Sequence, residues 1–406
     1  MTKGSAWSVL GALTLARLVM AFQFQSVAAL APQIAAQTGL GFVAIGTLSG
    51  AYLLPGVVAA LFGGWAGQRF ADIRIALWGL GLMALGGFAG ALLAGFESQV
   101  CARLLAGVGA VALNVMLNKM AGDWFQGRDD LTIAMSVLVS SWPAGLALAG
   151  FALPSLAGIT ALSFAFILPA ILCVVAFGLL ARIWRTSPSA PSGSVSGQRL
   201  TWREIILISI CGTVWALYNL AFITAISWTP LLLQERGFSP EDAARLGTVL
   251  SGLTIFSVAI GGWVVAPKGG LAYLRMRPDT VGLASLLFSA VLVALIVFGT
   301  TDEDSELVTG LALLGALIGL AAGMIMTLPI EATSSESRAI GLGLYWAIYY
   351  AVMGIGPSIL GAARDMTGSA ASPLLIASGL LLACIPFWGL FRVLQRRPRL
   401  DAPVTR

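Results

Sequence analysis

The sequence predicts an all-α, polytopic membrane protein with twelve transmembrane helices in two pseudo-symmetric six-helix bundles. Hydrophobic residues make up 58% of the 406 residues, charged residues make up 10%, and the mean hydropathy is +0.92. A soluble globule of this length would need far more polar surface, so the solvent of the folded chain is lipid. The apolar runs last about 20 residues, which is the length of a membrane-spanning helix, and we count twelve of them.

The apolar pattern is interrupted once in the middle of the chain. Residues 183–203 read IWRTSPSAPSGSVSGQRLTWR, a Ser/Pro/Gly-rich stretch without hydrophobic periodicity. This composition is typical of a solvated linker. We therefore predict an N-terminal six-helix bundle over residues 1–182, a cytoplasmic linker over 183–203 and a C-terminal six-helix bundle over 204–406.

The distribution of Lys and Arg predicts the orientation in the membrane. With a cytoplasmic N-terminus, 18 of these residues fall in inner loops and tails and 3 fall in outer loops. Such a bias sets the topology of membrane proteins. We predict a multi-pass protein of the cytoplasmic (inner) membrane with both termini in the cytoplasm. The formal net charge of +5 follows from this topology, so it predicts a lipid bilayer and no nucleic acid as partner.

Several chemistries are excluded by composition. The chain has no histidine, and its four cysteines lie singly inside apolar runs without paired spacing. We therefore expect no metal site, no disulfide, no cofactor and no catalytic residue, and we predict that the protein is not an enzyme. There is also no Walker-type nucleotide loop, which excludes ATP as the driving force.

Only two ionisable residues, Arg17 and Arg103, fall inside the predicted hydrocarbon region. Arg17 lies ten residues into the predicted span 7–31, which is about 15 Å or half of a core of about 30 Å. A charge at this depth costs at least about 2.5–3.5 kcal/mol and indicates a functional site. Because all eighteen acids lie at loops or helix ends, we expect an anionic substrate to neutralise Arg17.

Two motifs resemble the major facilitator superfamily. The stretch GGWAGQRFADIR (Gly63 to Arg74) resembles the family's loop between its second and third helices, with Gln68 in place of the usual Asp and Ala71 in place of Gly. RLLAGVGA from Arg103 is similar to the family's Arg-x-x-x-Gly-x-Gly motif. The resemblance covers the whole chain and implies secondary transport by alternating access, with the first, fourth, seventh and tenth spans lining the cavity and a monomer as the usual state.

A narrower resemblance rests on four segments. ALNVMLNKMAGDWFQGR from Ala112, SWPAGLALAGFALP from Ser141, WALYN from Trp215 and RDMTGS from Arg364 look like the branch of cyanate and nitroimidazole transporters, with more distant similarity to nitrate/nitrite porters. The Gly-rich nitrate signature of the latter is missing. This branch implies transport of small anions or small polar organic molecules.

Helical spacing gathers polar and aromatic residues on the faces expected to line the cavity. On the first span the Arg17 face includes Gln25, whereas Gln23 points away from it. Packing or interhelical hydrogen bonding is the alternative role for Arg103, the asparagines and the aromatic residues. The predicted substrate-binding residues are Arg17, Phe24, Gln25, Arg103, Asn114, Asn118, Trp215, Asn219, Tyr345 and Tyr349.

A second set of charged residues is expected to form the inner gate. Because Gln68 replaces the family's Asp, the remaining loop candidates are Arg69, Asp72 and Arg74. Glu331, at the inner end of the tenth span, is expected to pair with Arg338 or Arg128.

The sequence therefore predicts a secondary active or facilitative transporter of a small organic or inorganic anion, with Arg17 as the charge anchor. A co-transported proton or an exchanged anion is the expected second partner. One alternative is a multidrug exporter, which predicts an acid in the cavity, and the other is a transport-inactive sensor with the same fold.

Overall fold

The computed structural model describes residues 3–60, 71–126, 128, 130–184, 200–264, 276–299, 304–334 and 337–396. All regular elements in these ranges are helices, as the sequence predicted. They are α1 (Lys3–Ala29), α2 (Ala31–Thr38), α3 (Phe42–Ala51), α4 (Asp72–Leu92), α5 (Phe96–Phe125), α6 (Leu131–Ile159), α7 (Leu162–Ile183), α8 (Trp202–Glu235), α9 (Pro240–Val264), α10 (Pro278–Phe298), α11 (Asp304–Ile325), α12 (Leu328–Ala332), α13 (Arg338–Thr367) and α14 (Ala371–Arg396).

Twelve spans in the described ranges are long and apolar enough to cross a membrane, which confirms the predicted number. One of them, Phe42–Ala60, continues α3 through a turn at 52–55 that ends in Pro55. Another, Ser305–Ala332, joins α11 to the short helix α12. In both cases a proline removes a backbone donor near the break, which explains why one span appears as two helical pieces.

Six of the spans precede the predicted linker and six follow it. In the first half α1 packs on α6 and α7, and α4 packs on α5 and α7. In the second half α8 packs on α13 and α14, and α9 and α10 pack on α11. The two halves meet mainly through two helix pairs, α3 with α13 and α6 with α9. Residues 185–199 of the predicted linker lie outside the described residues, and the domain boundaries stay a prediction.

The pair α3 and α13 is held at very close range by glycine. A Cβ atom on Gly50 would collide with the backbone carbonyl oxygen of Gly354, and one on Gly46 would collide with that of Pro357. Small residues that allow backbones to approach are typical of helix contacts in a bilayer, where no hydrophobic effect drives association. The glycines of α3 therefore set the distance between the two halves.

The same pair is joined by a carboxylate at the start of α3. The Asp365 carboxylate, near the end of α13, accepts hydrogen bonds from the backbone N–H groups of Phe42 and Val43, each at 2.9 Å. The first N–H groups of a helix have no partner within the helix, and the helix dipole favours a negative charge there. Asp365 thus caps a helix of the opposite half.

Arg103 is buried among helices of the first half and lines neither of the two cavities described below. Its guanidinium donates to the carbonyl oxygens of Gln23 (2.9 Å) and Phe24 (3.0 Å) on α1, and to that of Leu48 (3.2 Å) on α3. Its terminal carbon lies 4.7 Å from the centre of the Tyr52 ring. Backbone oxygens of two other helices, α1 and α3, already accept from its donors, which favours the packing role, and the expected substrate contact stays a prediction.

We expect Gly50→Ala to destabilise the protein, because the added methyl group must push α3 away from α13. Overpacking of this kind costs about 1–3 kcal/mol. The measurement is the midpoint of thermal unfolding in detergent. Gly178→Ala on α7, where a Cβ would meet nothing within 4 Å, is the matched control and should unfold at or above the wild-type temperature. Equal midpoints for the two variants would contradict the close contact.

We expect Arg103→Lys to be less stable than Arg103→Met. Lysine keeps the buried charge but cannot reach the carbonyls of both helices, whereas methionine removes the charge and leaves those carbonyls without this donor. Losing a hydrogen bond to a charged group costs about 2 kcal/mol. Thermal unfolding of both variants tests this, and a lysine variant as stable as the wild type would show that the carbonyl contacts contribute nothing.

Candidate functional site

A cavity lies between the two halves, near the middle of the membrane helices. Side chains reach it from α1, α5 and α6 and from the turn after α3 in the first half, and from α8, α9, α11 and α13 in the second. We call it the central cavity.

Arg17 is the only charged side chain among the described residues that line the central cavity. Its Nη1 atom donates a hydrogen bond of 3.0 Å to Asn118 Oδ1. Its Nε atom is buried and has no hydrogen-bond partner among the described residues. The guanidinium thus has a neutral partner but no counter-charge on the cavity wall.

Two asparagines on α5 orient this contact. Asn118 Nδ2 donates to the backbone carbonyl of Asn114 at 2.7 Å, which leaves Asn118 Oδ1 to accept from Arg17. Asn114 lines the cavity, and its Nδ2 lies 3.5 Å from the Tyr350 hydroxyl on α13 of the other half. One turn of α5 therefore connects the arginine of the first half to a tyrosine of the second.

The wall that the second half contributes is largely aromatic. The Trp215 ring stacks on Tyr218 with centroids 5.6 Å apart and lies 6.3 Å from Tyr349. Tyr349 contacts Trp346 edge-to-face at 5.4 Å and Tyr350 at 5.0 Å. All five rings line the central cavity. Packed rings of this kind form a rigid apolar surface with polar edges.

The conformation of α8 places part of this wall. Its first turn carries a capping box, in which the Thr201 hydroxyl accepts from the Glu204 N–H and the Glu204 carboxylate accepts from the Thr201 N–H. The helix then runs unbroken to Glu235, so residues four apart share a face. Trp215 and Asn219 both face the cavity for this reason.

The structure brings together about half of the predicted binding residues. Arg17, Asn114, Trp215, Asn219 and Tyr349 line the central cavity, and Asn118 supports Arg17 from behind. Tyr345, in contrast, is fully buried beside the cavity wall, with its hydroxyl 3.5 Å from the sulfur of Met326. Tyr345 packs behind Trp215 and does not line the cavity.

Phe24 and Gln25 line a different cavity. This second cavity lies toward the end of the helices where Asp365 caps α3. Gln25 is eight residues beyond Arg17, which is about 12 Å along the helix axis. Gln25 Nε2 donates to Ser227 Oγ across the halves at 3.0 Å. Helical spacing predicted the shared face of α1 but ignored this difference in depth.

Phe24 separates the two cavities. It lines the second cavity, while the rings on which it packs, Tyr52 at 5.8 Å and Trp142 at 5.6 Å, line the central cavity. Gln23, which was predicted to point away from the Arg17 face, lines neither cavity and donates to the carbonyl of Met83 at 2.8 Å.

Several lining residues were missed by the sequence reasoning. On α13 the cavity stripe is Trp346, Tyr349 and Tyr350, whereas the predicted stripe was Tyr345 and Tyr349. Both sets fit helical spacing, and only the packing of α13 on α8 decides between them. An aromatic pair at i and i+4 starting from Trp346 was the signal that was available.

Asp72 and Arg128, two of the predicted gate residues, form ion pairs at the helix ends. Asp72 pairs with Lys119 at the end of α5, and Arg128 forms two hydrogen bonds of 2.8 Å with Asp130 in the same loop. These bonds hold the pKa of the Asp130 carboxyl below its usual value. Arg74 is exposed, and Arg69, like Gln68, lies outside the described residues.

The expected partner of Glu331 was wrong. Its carboxylate binds Arg392 and Gln395 on α14, and Arg392 also binds Asp279 at 2.6 Å. The break between α11 and α12 places Glu331 beside the end of α14, which lies in the same half. Arg338 is half-buried, and its Nε atom has no hydrogen-bond partner among the described residues.

Within the described ranges no group of three or more His, Cys, Asp or Glu side chains is placed to hold a metal ion. The chemistry that the central cavity offers is therefore that of one cation, amides, hydroxyls and aromatic rings.

Two characterised transporters are similar to this chain along most of its length. A 3-(3-hydroxy-phenyl)propionate transporter of Escherichia coli (strain K12) is 30% identical over 366 residues, which cover 86% of this chain and 83% of that protein. A hexuronate transporter of Bacillus subtilis (strain 168) is 23% identical over 370 residues, which cover 86% of each chain. These relatives do not confirm the narrower resemblance to cyanate and nitroimidazole transporters.

Solved structures share the fold at low sequence identity. A bacterial homologue of the human lysosomal transporter Spinster, in an inward-facing and unoccupied conformation, superimposes with a TM-score of 0.66 at 16% identity over 97% of both chains. The human organic anion transporter MFSD10 (TETRAN) superimposes with a TM-score of 0.68 at 15% identity and covers 95% of this chain and all of its own.

The sequence profile of the Major Facilitator Superfamily matches residues 13–357. This match spans most of the chain and both sides of the central cavity. The chain therefore belongs to the major facilitator superfamily of membrane transporters.

Proposed function

We propose that this protein carries a small organic anion across the cytoplasmic membrane by alternating access, with Arg17 as the charge anchor for the anion. The observation that carries the proposal is the electrostatics of the central cavity. Arg17 is the only charged residue among its described lining residues, and its hydrogen-bond partner, Asn118, is neutral. An anion in the cavity supplies the missing negative charge.

The free-energy cost of placing the Arg17 charge in the membrane supports a substrate carboxylate as its partner. A guanidinium in the middle of a bilayer costs at least about 2.5–3.5 kcal/mol without a partner of opposite charge. Its fork of donors matches a carboxylate in two parallel hydrogen bonds, which is stronger than one bond to an amide. A single cation favours a substrate with a single negative charge.

The wall opposite Arg17 favours a substrate with a planar or aromatic body. Trp215, Tyr218, Trp346, Tyr349 and Tyr350 present ring faces and edges to the cavity. The two similar transporters are named for organic acids, one of which contains an aromatic ring. We therefore favour a monocarboxylate over the inorganic anions that the sequence left open.

A multidrug exporter is less well supported. A cationic cargo needs an acid in the cavity, and the described lining residues include none. The carboxylates that the structure does place, such as Asp72, Asp279 and Glu331, are paired with cations at the helix ends.

Alternating access requires contacts between the halves that can break. At the end of the bundle where Asp365 caps α3, the halves are joined by that cap and by the Gln25–Ser227 and Thr47–Ser358 contacts, each at 3.0 Å. These are short-range polar contacts, and no ion pair joins the halves among the residues that the structure describes. We propose that they open when the cavity is exposed to that side.

The orientation in the membrane belongs to the proposal as well. The excess of Lys and Arg at the opposite end of the bundle supports a cytoplasmic location of both termini and of the linker over 183–203. The Asp365 cap then lies on the periplasmic or external side.

We expect Arg17→Ala to raise the KM for uptake of an organic monocarboxylate by about 10- to 100-fold. Hydrogen bonds to a charged group contribute about 1.5–3 kcal/mol, and each 1.4 kcal/mol is about tenfold in affinity. Arg17→Lys should recover part of the loss, because it keeps the charge but loses the fork of donors. Uptake of labelled 3-phenylpropionate into proteoliposomes measures both values.

Arg245→Ala is the control for that experiment. Arg245 is exposed at a helix end, where it pairs with Asp242 at 3.6 Å. The Arg245→Ala variant should therefore transport the anion like the wild type. If Arg17→Ala kept the wild-type KM and rate for the same anion, the charge anchor would be refuted.

A further inference from the structure

The central cavity contains a second polar feature, on the side opposite Arg17. The indole nitrogen of Trp215 is buried and has no hydrogen-bond partner among the described residues. An indole N–H is a donor only, and it usually finds an acceptor when it is buried. Leaving such a donor unsatisfied is unfavourable, so an acceptor on a bound substrate would stabilise it.

The indole ring of Trp215 packs among other aromatic rings. Trp215 stacks on Tyr218 and Tyr345, with centroids 5.6 and 6.4 Å away, and meets Trp346 edge-on at 6.4 Å. The nitrogen itself is covered in this structure. A ligand would reach this nitrogen only if the indole turned toward the cavity.

Asn219 supplies the complementary group one turn further along α8. Its Nδ2 atom donates to the Trp215 backbone carbonyl at 2.8 Å, so its Oδ1 atom is the acceptor left for a partner from the cavity. Both side chains line the cavity. Together they offer one donor and one acceptor on the same helix face, which we call the α8 pair.

A donor and an acceptor side by side match a hydroxyl group, which accepts one hydrogen bond and donates another. Neither member of the α8 pair is charged, so the pair does not compete with Arg17 for a carboxylate. The two polar features belong to different halves of the protein. A substrate that uses both must carry its carboxylate and its hydroxyl at separate ends of one molecule.

We propose that Trp215 and Asn219 form hydrogen bonds with a hydroxyl group on the body of the substrate. The transported molecules are then hydroxylated monocarboxylates that contact both halves of the protein. This inference rests on the proposed function, because it takes the Arg17–carboxylate contact as given. In this account the α8 pair selects substrates that carry a hydroxyl group, and Arg17 selects substrates that carry a negative charge.

The test compares two probes that differ by one hydroxyl group, 3-phenylpropionate and 3-(3-hydroxyphenyl)propionate, in proteoliposomes with the full chain. In the wild type the KM for the hydroxylated acid should be about tenfold lower than that for the unsubstituted acid. Trp215→Phe keeps an aromatic ring and removes the N–H, so it should bring the ratio of the two KM values close to one. It should do so mainly by raising the KM for the hydroxylated acid.

Asn219→Ala should change the ratio in the same direction, and it provides an independent readout if Trp215→Phe does not fold. Trp142→Phe is the matched control, because Trp142 lines the same cavity from the first half. It should shift both KM values by the same factor and preserve the ratio. A structural role for Trp215 would likewise lower uptake of both acids equally.

The outcomes separate the two proposals. If the wild type takes up both acids and the Trp215 and Asn219 variants keep its ratio of KM values, recognition of the hydroxyl group is overturned. The proposed anion transport then still stands. A wild type that does not discriminate between the acids overturns the inference in the same way. If the wild type takes up neither acid, the proposed substrate class fails, and the inference fails with it.

Discussion

The structure depends on how a membrane protein accommodates a guanidinium in the middle of its helices. Arg17 has one neutral partner, Asn118, whose carbonyl is aimed at it because the amide nitrogen is bound to the backbone of α5. An amide oxygen serves one donor of a group that has five. Arg17 lines the central cavity, where the substrate anion that we propose would accept hydrogen bonds from its other donors and neutralise its charge.

The two buried arginines of the first half show why position, and not residue type, decides the role. Arg103 lies where α1, α3 and α5 meet, and three backbone carbonyls satisfy it. Arg17 lies where the halves face each other across a cavity, so fewer protein acceptors are within reach. The same guanidinium therefore holds helices together in one place and is available for a ligand in the other.

The fold was largely predictable from the sequence, because apolar runs of about 20 residues leave a helix as the only solution in lipid. The face of Arg17 on α1 and the Trp215–Asn219 stripe on α8 also followed from helical spacing. Depth and partners did not follow. Gln25 shares a face with Arg17 but opens into another cavity, and Glu331 binds Arg392 because a break before α12 turns it toward α14. Such contacts depend on tertiary packing, which one sequence does not reveal.

The most direct measurement is a high-resolution density map of the protein with a bound organic monocarboxylate such as 3-(3-hydroxyphenyl)propionate. The account predicts that a carboxylate oxygen lies about 2.7–2.9 Å from a guanidinium nitrogen of Arg17. An anion bound elsewhere, with Arg17 still hydrogen-bonded to Asn118 alone, would contradict it.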